Sequence, residues 1–172
     1  MAEMKKITIK EVPELIMVGF HCETDFYSAG GVWREYFQSD TIEQLKTLVD
    51  FSCCEDIDHC EGIGLMFNFK GMDNFDLIIG DFYKPDTYIP DGLFSKYIAK
   101  GLTAHVQIEG NNIGDIIASA YLLITEALEN TSKIIDIEDF YWVEVYTLER
   151  YSKPLKRGEK VTIDYIMPVI NK

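Results

Sequence analysis

The chain is poor in positive charge. Its 172 residues carry 16 Lys and Arg against 29 Asp and Glu, a formal net charge of −13. The Lys5-Lys6 pair and the Lys153 to Lys160 loop are too short to reverse that field locally. Polyanions are repelled by such a surface, so neither nucleic acid nor an acidic membrane is expected as a direct partner. Long apolar runs are also missing: none approaches the roughly 18 residues of a spanning helix. Met1 to Lys10 lacks the apolar core of a secretion signal, so a soluble, cytoplasmic protein is expected. In that compartment the four cysteines are expected as thiols rather than as a disulfide frame.

Familiar catalytic signatures are scarce too. There is no phosphate-cradling glycine loop, dinucleotide fingerprint or HExxH helix, and no cofactor is expected. One cluster has metal-ligand residue types: Cys53, Cys54, Asp56, Asp58, His59 and Cys60. Its Cys54-to-Cys60 gap is wider than that of a zinc knuckle, and no second Cys/His pair completes a tetrahedron, so a polar loop is the better reading than a metal site. His21 and Cys22 are neighbours on strand-like sequence and so point to opposite faces, which disfavours a catalytic dyad.

What the chain has in quantity is apolar and aromatic side chains. Hydrophobic residues make up 47%, with 10 Tyr, 10 Phe and 2 Trp, enough to build a core and line a cavity. Ile7 to Phe20 reads as a strand with Pro13 near its entry. An amphipathic helix follows Gly30-Gly31, marked by Trp33, Phe37, Leu45, Leu48 and Val49 at near-helical spacing. Asp40 followed by Glu43 resembles a capping box, so one kinked helix and two short ones both fit. Ile63 to Phe69 and Phe75 to Phe82 read as a hairpin around Gly71. Beyond a linker with Pro85 and Pro90, strand material runs from Leu93 to Ile108, with Gly101 as a possible bulge. Ile113 to Leu128 is the clearest helix, with Ile116, Ile117, Ala120, Tyr121, Ile124, Ala127 and Leu128 along its stripe. A strand from about Tyr141, a turn through Pro154 and Gly158, and a last strand, Val161 to Ile170, complete the chain.

Each half therefore reads strand, helix, strand, strand. The expected fold is α+β, a duplicated β-α-β-β unit forming antiparallel sheet with two main helices. The halves, about 1–90 and 91–172 of one domain spanning 1–172, are expected to leave a ligand cleft where they meet.

The most informative stretch is Asp139 to Pro154, DFYWVEVYTLERYSKP. Strand alternation puts Tyr141, Val143 and Val145 on one face, and Trp142, Glu144 and Tyr146 on the other. The second face thus sets a carboxylate between two large rings. Burying an unpaired carboxylate costs several kcal/mol, on the scale of a domain's whole stability. Glu144 is therefore solvated, paired with a Lys or Arg, or placed to meet a cation, and spacing alone leaves these open.

Five segments resemble the effector-binding domain of the gyrase-inhibitor-like group, the AraC-type ligand-sensing module of several bacterial multidrug-responsive transcription regulators. They are IKEVPELIMVGF, VWREYF, IPDGLFSKYIAKG, VEVYTLERYSKP and IMPV, in that order along nearly the whole chain. The resemblance implies a small-molecule pocket between duplicated halves. It also implies that Glu144 is the carboxylate at the base of an aromatic cavity that takes lipophilic cations. Trp142 and Tyr146 share its face, and Trp33, Tyr36 and Phe37 of the first helix and Tyr121 of the second are candidate walls. For each ring the plainer alternative is core packing. Phe67 and Phe69 rank lower; there a strand often carrying Tyr in the family reads LMFNF, which removes a hydroxyl donor.

The regulators place a basic helix-turn-helix region before this domain, and none precedes Ile7. A stand-alone small-molecule binding module is therefore the expected function, and an acidic protein-partner module such as a gyrase inhibitor, which the net charge fits, is one alternative. The other is hydrolysis of small electrophilic compounds, with Glu144 as general base and Tyr146 or Tyr121 as proton donor. The oligomeric state is open.

Overall fold

A computed structural model of the chain describes residues 1–48, 60–71 and 73–172. In chain order the strands are β1 (Glu3–Val12), β2 (Leu15–Asp25), β3 (Cys60–Lys70), β4 (Asn74–Tyr83), β5 (Phe94–Ile98), β6 (Gly101–Gly110), β7 (Lys133–Ile135), β8 (Trp142–Thr147) and β9 (Val161–Asn171). The α-helices are α1 (Ala29–Gln38), α2 (Thr41–Lys46), α3 (Ile113–Glu129) and α4 (Lys153–Arg157), the last preceded by a π-helical turn, Leu148–Ser152. The architecture is α+β with antiparallel strand pairing, as the sequence pattern predicts.

The chain forms two compact units. One holds Met1–Val12, Glu61 and Gly101–Lys172; the other holds the described residues of 13–48 and 62–100. In the first, the strands run in the order β1-β6-β9-β8, with β7 paired to β9. In the second, the order is β5-β2-β4-β3. The duplicated β-α-β-β repeat is plain in these orders. β2, the α1–α2 pair, β3 and β4 make one copy, and β6, α3, β8 and β9 make the other. Each copy gains a fourth strand at the same edge, and that strand precedes the other copy in sequence: β1 leads into β2 but pairs with β6, and β5 leads into β6 but pairs with β2.

The breaks have local causes. Pro13 lacks the N–H a ladder needs, so Ile7 to Phe20 is two strands rather than one. Gly101 likewise opens β6 after a break and is not a bulge within one strand. Of the two open alternatives the segment takes two short helices, broken at Ser39-Asp40; Ser39 Oγ accepts from the Thr41 N–H at 3.2 Å, and the Asp40 side chain makes no cap bond. α3 starts where Asn112 Oδ1 accepts from the Asp115 N–H at 2.9 Å. Its stripe Ile116, Ala120, Ile124 and Leu128 is buried. Among the described residues no helix is long and apolar enough to cross a membrane.

Core packing in the second unit depends on one close approach. Gly19 of β2 pairs with Gly80 of β4, and a Cβ on Gly80 would run into the Val18 carbonyl oxygen while one on Gly19 would run into that of Ile79. Gly31 in α1 has open space instead. Gly80→Ala should therefore cost about 3 kcal/mol, whereas Gly31→Ala should add about 0.5–1 kcal/mol. Chemical denaturation of the two variants beside the parent checks both signs.

Candidate functional site

The short strand β8 is inside the protein on both faces. Val143 and Val145 are fully buried on one. On the other, Trp142 is 9% and Glu144 7% exposed. The solvated alternative for Glu144 is thereby removed. Pairing is removed as well: no Lys or Arg among the described residues forms an ion pair with it, and the nearby Arg150 is committed to Asp164.

Hydroxyl and ring groups surround the carboxylate instead. The Tyr146 hydroxyl donates to Glu144 Oε2 at 2.7 Å. In the β8–β9 register Glu144 lies opposite Tyr165, whose side chain is completely buried and whose hydroxyl has no hydrogen-bond partner among the described residues. Tyr165 packs its ring 5.1 Å from that of Trp142. Tyr151, from the π-helical turn, meets Tyr146 edge-on at 4.8 Å. Tyr121 of α3 lies 6.4 Å from Trp142 and is 60% exposed.

Burial raises the pKa of Glu144 above the ordinary carboxylate value, and hydrogen bonds from Tyr146 and Trp142 only partly offset it. The same environment pushes the hydroxyls of Tyr146, Tyr151 and Tyr165 upward, by burial first and then by the charge of Glu144. Such a site has an acceptor, several neutral donors and π faces, but no cation of its own.

The structure brings together Trp142, Glu144, Tyr146 and Tyr121 of the candidates named from sequence. Trp33, Tyr36 and Phe37 belong to the second unit, where they pack on one another at 5.1–6.3 Å. Tyr36 is buried there and Phe37 exposed, while the Trp33 indole lies on the open backbone of β3: a Cβ on Gly62 or Gly64 would sit 2.6 or 2.8 Å from it. Phe67 and Phe69 are also in that unit, Phe67 stacked on Phe94 and Phe69 against Phe75. His21 does not pair with Cys22; its Nε2 meets Asp76 Oδ1 at 2.7 Å and its ring stacks on Phe94. The Cys53 to His59 cluster lies outside the described residues, as does the Cys60 side chain.

Tyr165 and Tyr151 were missed in the sequence reading. Tyr165 had a signal: Val161, Ile163, Tyr165, Met167 and Val169 share one strand face, and a lone phenol interrupts that apolar row. Tyr151 had none, because a π-helical turn has no periodicity of its own to read over five residues.

No family model matches the chain, and no curated protein does. Solved structures do. SAV2435, solved bound to tetraphenylphosphonium, is similar with a TM-score of 0.65 at 10% identity, over 96% of this chain and 94% of that one. An integron cassette protein from the mobile metagenome of Vibrio cholerae gives 0.54 at 14% identity, over 98% and 99%. The C-terminal domain of EcmrR gives 0.52 at 13% identity, over 97% and 98%. The fold is shared with these proteins along nearly the whole chain.

Replacing Glu144 by Gln tests the isolated charge. A raised folded-state pKa means that the parent has its full stability below the unfolded value, near 4.5, and loses it as pH rises through the folded value. Gln does not titrate. Thermal melts should show Glu144→Gln at least as stable as the parent at neutral pH, with its relative advantage shrinking as the pH falls toward 4.5.

Proposed function

We propose that the chain is a small-molecule effector-binding module of the gyrase-inhibitor-like type, and that it takes lipophilic, aromatic cations at Glu144. The observation that carries this reading is a buried carboxylate with no cationic partner among the described residues, set among Trp142, Tyr146, Tyr151 and Tyr165. A delocalised organic cation loses little hydration on entering such a place, and each ring face it meets adds roughly 0.5–2 kcal/mol. A small inorganic ion would lose far more. SAV2435, which shares the fold, was solved with tetraphenylphosphonium, a cation of this chemical class. The proposal rests on the first unit alone; Trp33, Tyr36 and Phe37 are not needed for it.

Titration of tetraphenylphosphonium against intrinsic tryptophan fluorescence should show saturable quenching. Glu144→Gln should weaken the affinity by about 1 kcal/mol or more, the scale of a lost, partly desolvated charge contact. Equal affinity in the two proteins would reject the electrostatic part.

The hydrogen-bonded Tyr146–Glu144 pair also supports a second reading, hydrolysis of a small electrophile with Glu144 as base and Tyr146 as donor. In that case a strained-ring or ester substrate should disappear catalytically, and both Glu144→Gln and Tyr146→Phe should abolish turnover.

A further inference from the structure

We infer that Glu144 is a proton–cation exchange site: its carboxyl keeps a proton while the site is empty and releases it to solvent when a lipophilic cation arrives. The inference rests on the reading of Glu144 as the cation's partner and adds how that site is regulated. The exchange balances simply. A neutral acid and a monocation become a carboxylate–cation pair and one free proton.

The geometry supports it from every side of the carboxyl within its unit. On β8 itself the neighbour is the Tyr146 hydroxyl, donating at 2.7 Å. From β9 comes Tyr165, buried and, among the described residues, unpartnered at its hydroxyl. The π-helical turn contributes Tyr151, and α3 contributes Tyr121 through its contact with Trp142. All four are phenols, and none of them brings a cation to the carboxyl. Arg150 of the turn is engaged with Asp164, and Lys153, which opens α4, with Glu149. An empty site thus offers a bare carboxylate the Tyr146 bond and, among the described residues, no ion-paired cation. Protonation removes the buried charge without moving an atom; an arriving cation removes the need for the proton. Linkage makes the effect reciprocal, so protons and cations compete for the same carboxyl.

The test uses the full chain and tetraphenylphosphonium, whose own charge does not titrate. Calorimetry in buffers of different ionisation heat counts protons released per cation bound. Up to one proton should appear, and the dissociation constant should tighten by about tenfold per pH unit below the folded pKa of Glu144, then level off. Glu144→Gln should bind weakly, with no proton release and a flat pH profile. That variant also separates Glu144 from Asp164, a partly buried acid of the unit, whose pKa is raised by burial against its bond to Arg150. Tyr146→Phe keeps the carboxyl but removes a bond that favours its charged form, so the steep limb should move to higher pH. Binding with no net proton release and constant affinity from pH ~5 to ~9 would overturn the exchange while leaving the cation reading intact. No binding at any pH would overturn both.

Discussion

One carboxylate is kept from water and from cations, and the surrounding structure is arranged around that fact. A strand with both faces inside the protein normally carries only apolar side chains. β8 carries a buried hydroxyl at Thr147 and, more costly, an ionisable acid at Glu144. The departure is tolerable because the group has a neutral form, and because Tyr146 and Trp142 donate to the charged one. Trp142 is the wall against which Tyr121 and Tyr165 pack.

The duplication lets the two copies be compared position by position in their topology. β3 holds in its copy the place that β8 holds in the other. Where β8 presents Trp142, Glu144 and Tyr146, β3 presents Gly62, Gly64 and Met66. The helix that follows the first strand of the copy then supplies the ring: Trp33 lies on the two glycines, whereas Tyr121 reaches only Trp142 and stays largely exposed. One copy has filled this layer with its own indole. The other has put a carboxylate there and left Tyr121 open to solvent.

Much of this arrangement was readable in the sequence. Alternation through Tyr141 to Tyr146 separated Glu144 from the valines, and the Ile116-Ala120-Ile124 stripe marked α3, because both signals are local and strictly periodic. The repeat of strand, helix, strand, strand was readable for the same reason. The exchange of leading strands was not: β1 and β5 look like any other strands, and pairing partners far away in sequence leave no mark on the strand itself. Tyr165 reaches Glu144 only through the β8–β9 register, which depends on which residues oppose each other and not on the composition of either strand. The state of Glu144 needed burial and neighbours to decide, since a solvated, a paired and an isolated carboxylate share one spelling.

The exchanged strands also set an order of events during synthesis. The second unit is drawn from residues between Pro13 and Lys100, so its strands are all available once that segment has left the ribosome. β1 emerges before that segment yet has no partner until Gly101–Gly110 follows it. Until then β1 is an unpaired edge, and charged residues such as Glu3, Lys5, Lys6, Lys10 and Glu11 are the kind that discourage an edge from templating the wrong strand.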